Sequence, residues 1–291
     1  MKYAFTLSCT GGYLFGMISA MNAMAHFGVR ADWEVAYANI PSEMRNKISC
    51  SFPFKVNWTF IPELIEGTNK IADRHWIATW LMTKKVINNY DAICHTQADH
   101  MPLSNMTALF KAAADGCLVL TEHFNYSNTI EDLYARNSPV VDRGQCSLTD
   151  QFIFANPTHK NIFSTVAETM DQKLEGDRNH PVIILNNVVK AAVPFEEVIT
   201  LERHIWAFQK NLNNIPLRRS GNNILTNNDV RLRGIHNRWW QKGRANSELR
   251  NNPGKDMSIT IANWNLIRDY MAEFNAMRPE IAVEDYERTV W

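Results

Sequence analysis

Short apolar runs alternate with helix-periodic segments through the first two-thirds of the chain, and this alternation most narrows the possible folds. YAFTLSC from Tyr3 reads as a strand. Gly11 and Gly12 break it, and Leu14, Ile18, Met21 and Ala25 then follow at helical spacing up to Gly28. WEVAYAN from Trp33 and VNWTFI from Val56 read as second and third strands. A helical pattern from about Asn69 to Asn89, with Ile71, Ile77, Trp80, Leu81 and Ile87 apolar, leads into a fourth strand, YDAICHT, from Tyr90. MTALFKAAADG is a short helix stopping at Gly116, and CLVLTEH is a fifth strand. Strands apolar along their whole length are covered on both faces, as in parallel sheets sandwiched by helices. The pattern predicts an α/β fold with a mostly parallel sheet.

Beyond Glu122 the pattern loosens. DQFIFANPTHKNIFSTVAETM predicts a short strand, a turn at Pro157 and an apolar helix, and HPVIILNNVVKAA a helix with Pro181 near its start. EEVITLERHIWAFQKNL reads equally as strand or helix. ITIANWNLIRDYMAEFNAM predicts a closing helix. No internal repeat or linker divides the chain.

The 291 residues are 45% hydrophobic and 21% charged, enough apolar material for a normal core. No apolar run approaches the ~20 residues of a membrane span. The N-terminus superficially resembles a targeting segment, but the Gly11-Gly12 break makes it the first strand and helix. Five cysteines (Cys9, Cys50, Cys94, Cys117, Cys146), odd in number and widely spaced, contain no CxxC pair, so neither a zinc ribbon nor a disulfide framework is indicated, and their usage points to a cytoplasmic setting. Net charge is zero but uneven. Residues 203–255 hold eleven basic side chains against Asp229 and Glu248, a net +9. An anionic partner is one explanation, and a solvated face paired with the acidic remainder is the other.

The fourth strand ends in a polar cluster, His95, Gln97, Asp99 and His100. Open α/β sheets bind ligands at the carboxyl ends of their strands, so this cluster lies on the binding rim. A carboxylate there is placed to hold a divalent cation against a phosphate. A strand-ending turn with a capping Asp is the plainer alternative. His95 and His100 lie on alternate strand faces and cannot both point into one site.

YAFTLSCTGGYLFGMISAMNAM, YDAICHTQADHMPL and TDQFIFA together resemble nucleotide-sugar-dependent glycosyltransferases of the GT-A type, over roughly residues 3–155 and more loosely to 191. The resemblance implies a single GT-A-like domain over 1–291. Residues 1–122 would form the nucleotide-sugar-binding half, and 123–291 an acceptor half with an irregular basic region. It implies a nucleotide-sugar donor, a uridine diphosphate sugar first, and Mn2+ or Mg2+. The family's Asp-x-Asp metal motif reads Gln97-Ala98-Asp99 here, so only Asp99 keeps its carboxylate. Gln97 is left to meet sugar hydroxyls or to touch the metal as a neutral oxygen. Thr6, Ser8 and Thr10 match the nucleotide-binding loop, Arg74 the diphosphate-binding helix, and His236 in RGIHNRWW a late metal ligand. Asp150 in TDQ is the candidate acceptor base, with Glu122 in reserve.

Arg231, Arg233, Arg238 and Arg244, interleaved with Trp239 and Trp240, suit a nucleic acid: cations meet phosphates and aromatic faces stack on bases. Phage enzymes that glycosylate hydroxymethylated pyrimidines such as 5-hydroxymethylcytosine supply a setting, with double-stranded DNA as acceptor and the host cytoplasm as compartment. No known DNA-binding motif accompanies the segment. Polysaccharide or lipopolysaccharide synthesis is the alternative acceptor chemistry. Two other classes stay open: a metal-dependent nucleotidyl or phosphoryl transferase, although no GxxxxGK[ST] or GxGxxG loop is present, and an inactive nucleic-acid-binding module.

Overall fold

A computed structural model describes residues 1–61, 71–123, 128–170, 172, 180–208, 215–236 and 257–283, without the side chains of 71–76. Strands β1 (Tyr3–Thr10), β2 (Asp32–Ala38), β3 (Val56–Phe60), β4 (Ala92–His95), β6 (Leu118–Glu122), β7 (Leu148–Ala155) and β8 (Val198–Leu201) form one sheet in the order β3-β2-β1-β4-β7-β6-β8. Only β7 runs against its neighbours, pairing antiparallel with both β4 and β6. The α/β fold with a mostly parallel sheet is therefore as the alternation predicts.

Helices cover both faces. On one, α3 (Ile71–Val86), α6 (Lys160–Met170) and α7 (Pro181–Ala192) bury Trp80, Val86, Phe163, Val166 and Leu185. On the other, α1 (Leu14–His26) and α4 (Thr107–Ala114) bury Met17, Ile18, Met21 and Phe110 against Phe5 and Leu7. Gly28 and Gly116 follow these two helices at φ +72° and +114°, conformations that side chains with a Cβ resist.

Several elements carry no clear sequence signal. Helix α2 (Ser42–Ser51) lies between β2 and β3 and buries only Ile48. The ambiguous stretch after Glu196 resolves into both alternatives: strand β8, then a single turn, α8 (Arg203–Trp206). Strand β5 (His100–Pro102) pairs antiparallel with β11 (Gly234–His236), while β9 (Leu217–Ser220) and β10 (Asn223–Thr226) form a hairpin. Two α5 turns (Ile130–Ala135) begin at a Thr129–Asp132 capping box. The closing helix, α9 (Ser258–Ala276), packs on α1, where buried Ser19 and Asn22 donate to the carbonyls of Met271 and Phe274. Its apolar side forms a third core with Met101, Leu103, Phe208 and Ile235. All five cysteines are free thiols; Cys50 is exposed and Cys117 half-buried. Among the described residues no helix is long and apolar enough to cross a membrane.

Candidate active site

The site forms where β4 ends. Because β7 is antiparallel to β4, with His95 opposite Ile153, the start of β7 arrives at the finish of β4. Asn186, fully buried on α7, fastens that start: its Oδ1 accepts from the N–H groups of Ser147 and Leu148, and its Nδ2 donates to the Leu148 carbonyl. Asp150 and Gln151 are thus carried to the rim by a strand whose preceding backbone is fully bonded. Successive β7 side chains face opposite ways. Asp150 accepts from Gln97 Nε2 at 3.3 Å, while Gln151 Nε2 meets His236 Nδ1 at 2.8 Å.

His236 reaches the rim through the small β5–β11 ladder, which sets it opposite His100 and next to Asp99. Its Nε2 lies 3.6 Å from Asp99 Oδ1, and its ring centre 4.1 Å from that of His100. The His100 ring stacks on Phe152 at 4.7 Å, and its Nδ1 is bonded to Thr96 Oγ1. Gly234 lets β11 approach α8: a Cβ there would sit 2.1 Å from the Trp206 carbonyl oxygen.

Burial dominates the electrostatics. Asp150 is 6% exposed, and desolvation, reinforced by the Asp99 charge, pushes its carboxyl up to about 6, against the lowering effects of its own backbone, Thr149 and Arg203. His100 is held neutral, mainly by burial and then by His236. Arg203, 2% exposed, is the buried cation behind Asp150, and with burial it also pushes His123 down to about 3.

Other residues singled out in the sequence are dispersed. Thr6 is buried in mid-strand, its hydroxyl bonded to Thr83 on α3, which in turn holds His95 Nδ1. His95 packs against Trp80 on the helix side, with its pKa depressed to about 3 by burial. It therefore faces away from His100. Ser8 accepts from Thr79, and Thr10 closes β1 at the rim. Arg74 lies near the start of α3, the end that begins at the rim. Glu122 neighbours Thr200, Glu202 and His204, on the side of the rim away from Asp99, and burial raises its pKa.

Most arginines in the described part of the basic segment already have partners within the chain. Arg203 is buried, Arg218 pairs with Asp229, Arg219 pairs with Glu273, and Arg231 donates to the Leu103 carbonyl. Arg233 precedes β11, its N–H donating to the Ile205 carbonyl. Arg238, Trp239, Trp240 and Arg244 lie outside the described residues.

Among the described residues no three of His, Cys, Asp and Glu stand together as a metal cage. Asp99 and His236 supply one oxygen and one nitrogen at adjacent positions. That donor pair suits a divalent cation which takes its remaining ligands from a diphosphate and water. Two residues of the site carry roles that the sequence leaves unassigned. Gln151 sits inside the TDQ motif but gains its contact only from His236, and Arg203 is one cation of the basic run until burial sets it apart.

No family model matches the chain, and no curated protein matches it. Solved structures do. The galactosyltransferase LgtC, in complex with donor and acceptor sugar analogs, is similar with a TM-score of 0.54 at 10% identity, covering 88% of this chain and 97% of that one. An active-site mutant of LgtC is similar at 0.54 and 11% identity, covering 89% and 99%. The bifunctional glycosyltransferase WbbM in its apo form is similar at 0.51 and 10% identity, covering 90% of this chain and 51% of that one. At such identities the likeness is one of fold, and that fold is the α/β domain expected from the strand pattern, of the GT-A-like kind that the resemblance implied.

Proposed function

We propose that this protein is a glycosyltransferase that moves a sugar from a nucleoside diphosphate sugar, a uridine diphosphate sugar first, to a hydroxyl acceptor. The observation that carries this is the convergence of Gln97, Asp99, Asp150, Gln151 and His236 at the ends of β4 and β11 and the start of β7, in a fold shared with solved glycosyltransferases. Asp99 and His236 would hold Mn2+ or Mg2+, which when bound neutralises charge on the leaving diphosphate. Arg74 would be the further cation for that diphosphate, and Ser8 and Thr10, at the end of β1, would meet the nucleotide. Asp150, with a pKa of about 6, is mostly ionised at neutral pH and is the group that accepts or orients the acceptor's hydroxyl proton. The Gln97 amide keeps that carboxylate company without adding charge.

For the acceptor, our reading is a hydroxymethylated pyrimidine in double-stranded DNA. The net +9 of residues 203–255 supports it. Since Arg203 is buried, Arg218 and Arg219 are paired with the exposed carboxylates of Asp229 and Glu273, and Arg231 donates to a backbone carbonyl, the support rests on Arg233, Arg238 and Arg244 with Trp239 and Trp240.

Thermal melts with nucleoside diphosphates and Mn2+ test the donor, because a bound nucleotide stabilises by mass action. A uridine diphosphate shift is expected, and no shift with any nucleoside diphosphate would overturn the glycosyltransferase reading. Labelled sugar offered to hydroxymethylated duplex, unmodified duplex and oligosaccharides tests the acceptor. Label on oligosaccharide alone replaces DNA by polysaccharide or lipopolysaccharide synthesis.

A further inference from the structure

Gln151 is 4% exposed, and its Nε2 lies 2.8 Å from His236 Nδ1. An amide NH2 group only donates, so Nδ1 accepts, and in a neutral imidazole the proton then resides on Nε2. That nitrogen faces Asp99 Oδ1 at 3.6 Å. In this tautomer His236 turns an N–H, not a lone pair, toward Asp99. The other end of the amide, Gln151 Oε1, is buried with no hydrogen-bond partner among the described residues.

We propose that Gln151 is a positioning residue that selects between two tautomers of His236, one resting and one able to ligate a cation. With the amide as found, His236 keeps its proton on Nε2. After a half-turn about the Gln151 Cγ–Cδ bond, Oε1 accepts from Nδ1–H, and the Nε2 lone pair points toward Asp99. Asp99 and His236 then present an oxygen and a nitrogen to a divalent cation together. The inference rests on the role proposed above for that pair.

Two features make the amide the moving part. The His236 ring has His100 beside it, which is stacked on Phe152, and its backbone is tied to β5 and to Phe208, so exchanging its nitrogens by turning the ring is hindered. Each orientation of Gln151 satisfies one end of the amide against His236 and leaves the other in the same buried spot. The two orientations therefore differ little in hydrogen bonding, and a cation arriving at Asp99 decides between them. A side chain of this kind, which bonds the far nitrogen of a ligating histidine, commonly changes metal affinity 10–100-fold when altered.

The test reads the tautomer directly. In metal-free, 15N-labelled protein the ring-nitrogen signals of the histidines are recorded, with His236→Asn identifying the relevant pair. The wild type is expected to carry its proton on Nε2. Gln151→Glu, whose carboxylate only accepts, is expected to move the proton to Nδ1 and to tighten Mn2+ binding about tenfold, read from the free-Mn2+ electron spin resonance signal. Gln151→Leu is expected to weaken Mn2+ binding about tenfold. A proton remaining on Nε2 in Gln151→Glu overturns the proposal, as does wild-type Mn2+ affinity in a folded Gln151→Leu. Should Gln151→Leu not fold, the tautomer in Gln151→Glu decides alone. Unchanged Mn2+ binding in both Asp99→Ala and His236→Asn would instead overturn the cation site itself, an outcome separate from the tautomer readout.

Discussion

Gln97 Nε2 donates to Asp150 Oδ2 across 3.3 Å, joining the segment after β4 to the start of β7. The amide at 97 thus offers the Asp150 carboxyl a neutral donor, where the Asp-x-Asp motif of the resemblance would offer a second carboxyl. A carboxylate at 97 would face Asp150 with like charge once both are ionised.

Gln97→Asp is accordingly expected to be a conditional variant. Without metal, repulsion with Asp150 destabilises the fold above about pH 6 by about 1–3 kcal/mol, a common range for losing a buried partner. With Mn2+ present, activity is retained and the metal binds more tightly. Melting curves with and without Mn2+ at pH 5 and pH 8 measure both effects. A pH 5 to pH 8 difference in melting temperature no larger than that of the wild type, without metal, would show that position 97 does not face Asp150.

Asp150→Asn is expected to separate stability from activity. The folded-state pKa of Asp150, about 6, lies above its ordinary 3.8, so the ionised form is penalised on folding. The penalty is complete above pH 6 and disappears as pH falls through 6 toward 4. At about 1.4 kcal/mol per unit, the substitution should stabilise the protein by about 2–3 kcal/mol at pH 7 and by little at pH 4. Transfer activity should fall at least 100-fold, since general-base contributions start near that size. Wild-type activity should climb as pH rises through about 6, and a flat profile from 5 to 8 would remove Asp150 from the chemistry.

Asp99→Ala is expected to abolish divalent-dependent donor binding and transfer while the protein melts cooperatively. Asp99 makes its contacts at the rim, not in the core, so the fold does not depend on it. Isothermal titration with uridine diphosphate and Mn2+ measures this, and full activity would sink its assignment as a ligand.

Gly234→Ala is expected to disrupt the site from outside it. The added methyl would lie 2.1 Å from the Trp206 carbonyl oxygen and 3.0 Å from the Phe152 ring. Backbone must shift to relieve the clash, at a cost of about 1–3 kcal/mol. Because β11 carries His236, Mn2+ affinity should drop with stability. Stability falling while Mn2+ affinity holds would show that β11 does not position His236.

Much of the fold is local and was therefore legible. Continuous apolar runs mark β1, β4, β6 and β7, and Gly28 and Gly116 end their helices with backbone angles that only local sequence is needed to foresee. Asp99 at the end of an apolar strand could be placed on the rim for the same reason. The contacts that make the rim a site are not local. Gln97 meets Asp150 over 53 residues, Gln151 meets His236 over 85, and Asp99 meets His236 because three residues of β5 pair with three of β11. Such short strands leave no periodicity to read. The reversed direction of β7, which delivers Asp150 and Gln151 to the finish of β4, depends on sheet order. Sheet order is set by which apolar faces pack together across the whole domain, a property of the folded chain and not of any window along it.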